Sequence, residues 1–328
     1  MQFPRFSPFF LALLGLVAAC GISPAEQFSP EIPISSAADS LELFAPGIIS
    51  TPRNERDLAI SPDGLEIYYT LSSPDNLVRA IVRIVQENGQ WQPPQVASFS
   101  GSHGDIEPFF APGGKRLYFS SNRPVNETDE SVDYDIWYVD RTETGWGAPQ
   151  NLGPPVNTPE DEFYPSVAAN GNIYFTAAYE NSKGTEDIYL SVFQDGQYLD
   201  PVSLDTAINT KKYEFNAYVS PLEDLIVFSS YGRPDDLGGG DLYYSEKGDN
   251  GQWKPARHMG PEINSAKLDY CPFVDDKSRN FYFSSSRRAP GSGESALLME
   301  DLIRECEGIE NGLGNIYRVG FADAFPKK

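Results

Sequence analysis

The chain has 328 residues and a formal net charge of −22, with 28 Gly, 27 Pro and abundant Tyr and Phe. That acidity excludes nucleic acid, or an anionic membrane held by charge, because both need a basic surface. Three cysteines are too few for a disulfide scaffold and two distant histidines give no zinc spacing, so neither a metal nor a cofactor is expected.

The start of the chain reads as an export signal over residues 1–19. Arg5 precedes the apolar core Phe9-Phe-Leu-Ala-Leu-Leu-Gly-Leu-Val17, and Ala18-Ala19 follow. The apolar run is too short for a membrane span of ~20 residues. A plain secretory signal cut after Ala19 is one reading. Leu16-Val-Ala-Ala-Cys20 also resembles the bacterial lipoprotein box, which implies that Cys20 becomes the first mature residue and carries a diacylglycerol. Two or three acyl chains anchor a protein stably. Gly21 rather than Asp follows the cysteine, which in Gram-negative lipoproteins implies release to the outer membrane. The expected address is the cell envelope, facing the periplasm or the cell surface, with membrane contact through the lipid alone. Residues 20–38, rich in Pro and Ser, read as a tether.

From residue 39 a frame repeats. Ile49-Ser-Thr-Pro-Arg-Asn-Glu55 sets an acid six positions after an apolar residue, and Ser61-Pro-Asp-Gly64 a turn six positions further on. The frame recurs at Phe99…Asp105, Val156…Glu162, Ile208…Glu214 and Ile263…Asp269. A period near 50 marks a solenoid, propeller or array. Within each repeat the pattern predicts four short strands. The second carries Tyr69, Phe119, Phe175, Phe228 or Phe283, expected to pack between repeats. The third opens at Asp135-Ile-Trp137, Asp187-Ile-Tyr189, Asp241-Leu-Tyr243 or Asn315-Ile-Tyr317. The fourth opens at Trp91, Trp146, Tyr198 or Trp253. Four up-and-down strands per repeat describe a propeller blade. The last repeat ends after its third strand, and Ser40-Leu-Glu-Leu-Phe44 supplies the missing one, removing the open sheet edge. The expected fold is all-β: a single five-bladed propeller, 39–328, closed by an N-terminal strand and carrying a helical insertion in blade five.

The motifs Ser61-Pro-Asp-Gly64, Leu117-Tyr-Phe-Ser-Ser-Asn-Arg123, Asp135-Ile-Trp137, Val156-Asn-Thr158 with Glu162, and Phe281-Tyr-Phe-Ser-Ser285 resemble the WD-like repeat of the TolB family over about residues 40–321. The resemblance implies an envelope propeller serving as an interaction module. The six-bladed TolB itself has a separate N-terminal α/β domain that has no counterpart here, so its partners do not carry over.

Glu55, Asp105, Glu162, Glu214 and Asp269 should stand at equivalent places at the start of the innermost strands. Two readings follow. They could be funnel carboxylates, of the kind some five-bladed glycoside hydrolases use as general acid and base, or a cation site. Alternatively each accepts hydrogen bonds from local backbone N–H groups, the kind of need that a repeat reproduces five times. Specific function should then lie where the repeat is broken: residues 122–134, 231–240 and 288–314. In the last, Ser295 reads as an N-cap and Ala296–Cys306 as a helix stopped by Gly308. Its face Leu298, Met299, Leu302, Ile303 and Cys306 should pack on the propeller. Cys306 could pair there with Cys271 as a disulfide. Arg123, Arg233 and Arg287 are expected to pair with strand-three acids such as Asp135 and Asp241. No nucleophile elbow or catalytic triad order is present. The function expected is a monomeric scaffold that binds an envelope protein or a glycan; the alternative is a glycoside-hydrolase-like enzyme.

Overall fold

The computed structural model describes residues 30–291 and 298–325. The chain forms five small antiparallel sheets arranged as a β-propeller, with two short helices among the described residues. No described helix is long and apolar enough to cross a membrane.

The innermost strands are Asn54–Ile60, Asp105–Phe110, Glu162–Val167, Tyr213–Val219 and Asp269–Asp275. Outside them lie the second strands Glu66–Ser72, Arg116–Ser121, Ile173–Ala177, Leu225–Tyr231 and Asn280–Ser285, then the third strands. Alternation in the second strands puts Tyr69, Phe119, Phe175, Phe228 and Phe283 between blades, where all five are buried. The fourth strands are shorter than the sequence suggests. Tyr198–Val202 does not run as one strand: Gln197–Tyr198 forms a hairpin end, Pro201 interrupts, and only Val202–Ser203 rejoins the blade. Proline removes a ladder donor, so an outer strand divides there.

Glu42–Leu43 pairs antiparallel with Asn315–Gly320, matching Glu42 to Arg318 and Leu43 to Tyr317. The N-terminal strand therefore completes blade five. Phe44 beside it is fully buried and meets Tyr282 edge-on at 5.0 Å. The docked segment begins earlier than the expected tether boundary at residue 38. Ile32 is buried in the blade-one core. Asn280 accepts from the Ala38 N–H at 2.8 Å and donates to the Ser36 carbonyl at 2.8 Å. The Arg318 guanidinium donates to the carbonyls of Pro33 and Ser36 and to Glu42. These buried side chains need acceptors, and the incoming chain supplies them. The remainder of the expected tether, with Cys20, lies outside the described residues.

Because strands alternate in direction, all inner strands begin at one mouth of the central channel. The loops between second and third strands open on that same mouth, including 122–134, 231–240 and the described parts of the blade-five insertion, 286–291 and 298–314. The opposite mouth carries tight turns such as Ser61–Gly64 and the short helix Phe321–Ala324, and Ile34 and Ser35 line a cleft there with Asp63, Lys277 and Ser278. The incoming chain thus reaches the propeller at the short-turn mouth.

The helix spans Met299–Glu307; Ser295 and Ala296 lie outside the described residues. Its apolar face does not pack on the propeller as expected. None of its residues is buried, and Leu298, Met299, Leu302 and Ile303 are 44–72% exposed.

Candidate functional site

Each of the five acids is at most 1% exposed. Each accepts the backbone N–H of the residue four positions earlier: Thr51 to Glu55 at 3.1 Å, Gly101 to Asp105 at 3.3 Å, Thr158 to Glu162 at 3.2 Å, Thr210 to Glu214 at 2.7 Å, and Ser265 to Asp269 at 2.6 Å. In four repeats the Thr or Ser hydroxyl there donates as well. The acid thus closes the turn that leads into its own inner strand. None of the five lines a central cavity.

The recurring arginines serve these acids and not the strand-three acids. Arg123 pairs with Asp105, Arg233 with Glu214 at 3.1 Å and Arg287 with Asp269 at 2.7 Å. Each also donates to the apolar residue six positions before its acid: Phe99, Ile208 and Ile263. Asp135 instead receives Asn151, and Asp241 receives His258, each at 2.7 Å. Blades one and three have no such arginine. Their acids rise accordingly, chiefly through burial, Glu55 to about 7 and Glu162 to about 8.

The channel is built by the next residues. Every inner strand carries a bulge just after its acid. At each bulge a non-glycine residue takes a left-handed backbone: Asp57 (φ 60°), Glu107 (61°), Tyr164 (54°), Asn216 (49°) and Cys271 (53°). Such conformations cost about 1–2 kcal/mol each and persist only where the surroundings enforce them. Part of the enforcement comes from the preceding blade. Its second strand offers Ser284 to the Asp57 N–H, Thr70 to that of Glu107 and Thr176 to that of Asn216. The bulge turns these five unlike side chains toward the axis. The Arg56 Nε donates to both Asp57 carboxylate oxygens at 2.8 Å, and its Nη2 to Glu107 Oε1 at 2.7 Å. Glu107 Oε2 accepts from the Tyr164 N–H at 2.7 Å, and Asn216 Nδ2 reaches Oε1 at 3.4 Å. Tyr164 closes the circle by donating its hydroxyl to the Pro272 carbonyl at 3.1 Å.

Burial, together with the neighbouring Asp57 charge, raises the Glu107 carboxyl to about 7 against the pull of Arg56. Burial and then Asp57 push the Cys271 thiol up as well, so it is held protonated. Cys271 is buried and Cys306 lies exposed on the helix; both are free thiols, and the expected disulfide does not form. The bulge aims Cys271 at the axis, while its intended partner sits on an insertion outside the ring.

Above this floor is an open funnel of about 260 Å³. Its wall is the residue immediately after each acid: Arg56, Ile106, Phe163, Phe215 and Tyr270. Arg79 and Glu186, beside the starts of two third strands, stand higher. Below the floor, the rings of Phe109, Tyr218 and Phe273 meet tilted and edge-on with centroids 6.4 and 5.9 Å apart, and line a separate cavity of about 220 Å³ with Ser61, Pro62 and Lys277 toward the short-turn mouth. The repeat analysis missed the bulge residues because they differ in every blade. A signal existed: proline follows the bulge residue at Pro108, Pro165 and Pro272. Among the described residues no cluster of His, Cys, Asp and Glu could hold a metal.

No protein-family model matches the chain. No curated protein matches it either. Solved structures do. The catalytic domain of a Coprinopsis cinerea GH62 α-L-arabinofuranosidase is similar over 87% of this chain and 96% of its own, at 13% identity and a TM-score of 0.51. TolB from Acinetobacter baumannii is similar over 71% of this chain at 16% identity and a TM-score of 0.45, and the chain spans only about half, 51%, of that structure. At such identities the likeness is one of fold. The class of the molecule is therefore a five-bladed β-propeller with a funnel on its axis.

Proposed function

We propose that this propeller is a lipid-anchored envelope scaffold of the TolB-like repeat type, which binds a protein or glycan through the mouth that holds the funnel. The observation that carries the reading is where the asymmetry lies. The five acids are alike and each is held by its own turn, whereas the residues next to them, Arg56, Ile106, Phe163, Phe215 and Tyr270, line an open funnel with a largely aromatic wall. The three long insertions surround the same mouth. Anchoring rests on the Cys20 motif alone. If Cys20 is lipidated, the docking of residues 32–38 at the short-turn mouth turns the funnel away from the bilayer.

The test is capture from envelope extract by the intact lipoprotein, beside Phe215→Ala and a deletion of residues 288–313. Retention of a specific partner by the parent and its loss from either variant is expected. Equal retention by all three contradicts the reading.

Glycoside hydrolysis is the second reading, and one observation favours it: Glu107 lines the funnel with its carboxyl lifted to about 7, as a general acid needs. Against it, one guanidinium clamps Glu107 and Asp57 together, whereas a hydrolase pair stands about 5–10 Å apart with a sugar between. Turnover of aryl glycosides that disappears in Glu107→Gln would establish it.

A further inference from the structure

The funnel holds two charges that the described residues leave uncompensated. Glu186 lines it from blade three; among the described residues its carboxylate receives no hydrogen bond and no ion pair. Burial, with Asp161 nearby, raises its proton affinity, so no cation is at hand. Arg79 lines the same funnel from blade one and, among the described residues, has no carboxylate partner. Its Nε donates to the Asn76 carbonyl at 2.9 Å and its Nη1 to the Tyr134 hydroxyl at 3.2 Å. The two do not pair with each other, being on non-adjacent blades and beyond the ~4 Å of an ion pair. By contrast, Arg56 of the wall and Asp57 and Glu107 of the floor satisfy one another. The same cavity is lined by the rings of Phe163, Phe215 and Tyr270.

A half-buried charge without a counter-ion is costly, and here two of opposite sign share one open cavity with apolar walls. We infer that the funnel binds a short zwitterionic peptide, its ammonium group at Glu186, its terminal carboxylate at Arg79 and an apolar side chain against Phe163 and Phe215. The two charges are on non-adjacent blades, so the ligand must span the funnel, and about 260 Å³, small beside the roughly 300–1,000 Å³ of most ligand pockets, keeps it short. The inference rests on the funnel being the binding mouth and names what it takes.

The test is calorimetric titration of the folded protein with the tripeptide Ala-Phe-Ala, its N-acetylated form and its C-amidated form. The parent should bind the free tripeptide, and each cap should weaken binding at least about tenfold, as loss of a charge-assisted contact does. In Glu186→Gln, acetylation should no longer matter while amidation still does; in Arg79→Gln the reverse should hold. Both sites are solvent-accessible, so the variants should fold. Absence of binding by all three peptides overturns the inference, as does a cap penalty unchanged in both variants. If the envelope partner is still retained in either case, the scaffold reading survives and only the zwitterion site falls.

Discussion

Two rings of side chains lie one residue apart on the inner strands, and the chain treats them in opposite ways. Glu55, Asp105, Glu162, Glu214 and Asp269 do one job five times, closing the turn into each blade with backbone donors. Arg56, Ile106, Phe163, Phe215 and Tyr270 share no such turn-closing role; they line the open funnel, three of them with aromatic rings. A charged ring in a propeller is therefore not evidence of a charged site. Repetition marks scaffold, and the break in repetition marks the surface free to specialise.

The comparison can be broken at several strengths. Removing a scaffold acid should do the most damage. Asp269→Ala leaves Arg287 and the Ser265 N–H without their acceptor, and breaking such a buried pair costs about 3–5 kcal/mol. Denaturant unfolding should show that loss; a change below about 1 kcal/mol would mean the acid ring is not structural.

Next is pH. Glu55 and Glu162 have folded values raised above the ordinary 4.5, to about 7 and about 8. A carboxyl raised on folding binds its proton more tightly in the folded state. Its stabilisation is complete below pH about 4.5 and is lost as pH rises through 7 to 8. Each unit is worth ~1.36 kcal/mol, so unfolding free energy should fall by a few kcal/mol from pH 5 to 8. Glu162→Gln should flatten part of that slope; an unchanged slope would contradict the assignment.

A smaller effect is expected at the wall. Phe215→Ala removes a partly exposed ring and should cost about 1 kcal/mol or less in unfolding experiments while weakening binding. The smallest is on the insertion. Leu302→Glu, on an exposed helix face, should move stability by no more than about 0.5 kcal/mol.

The sequence made the scaffold legible and the site nearly invisible, for one physical reason. Periodic needs leave periodic residues: the acid frame, the strand-two aromatics and the closing strand at residues 40–44 could all be read and counted. The bulge residues Asp57, Glu107, Tyr164, Asn216 and Cys271 share only a backbone conformation, which residue identity does not spell out; the prolines after three of them were the one trace. Recurrence showed that Arg123, Arg233 and Arg287 have a common partner, but sequence distance could not tell strand one from strand three. The amphipathic spacing of 298–306 was real, yet periodicity does not say whether a face is covered. Nor does Pro and Ser content tell a free tether from one docked through its carbonyls to Arg318 and Asn280.

The most direct measurement sets the two rings against each other: retention of a partner captured from envelope extract, by folded Glu162→Gln and folded Phe215→Ala at equal protein concentration. The parent's affinity should persist in Glu162→Gln and fall about tenfold or more in Phe215→Ala. Loss in Glu162→Gln with full retention in Phe215→Ala would place function in the acid ring and contradict the account.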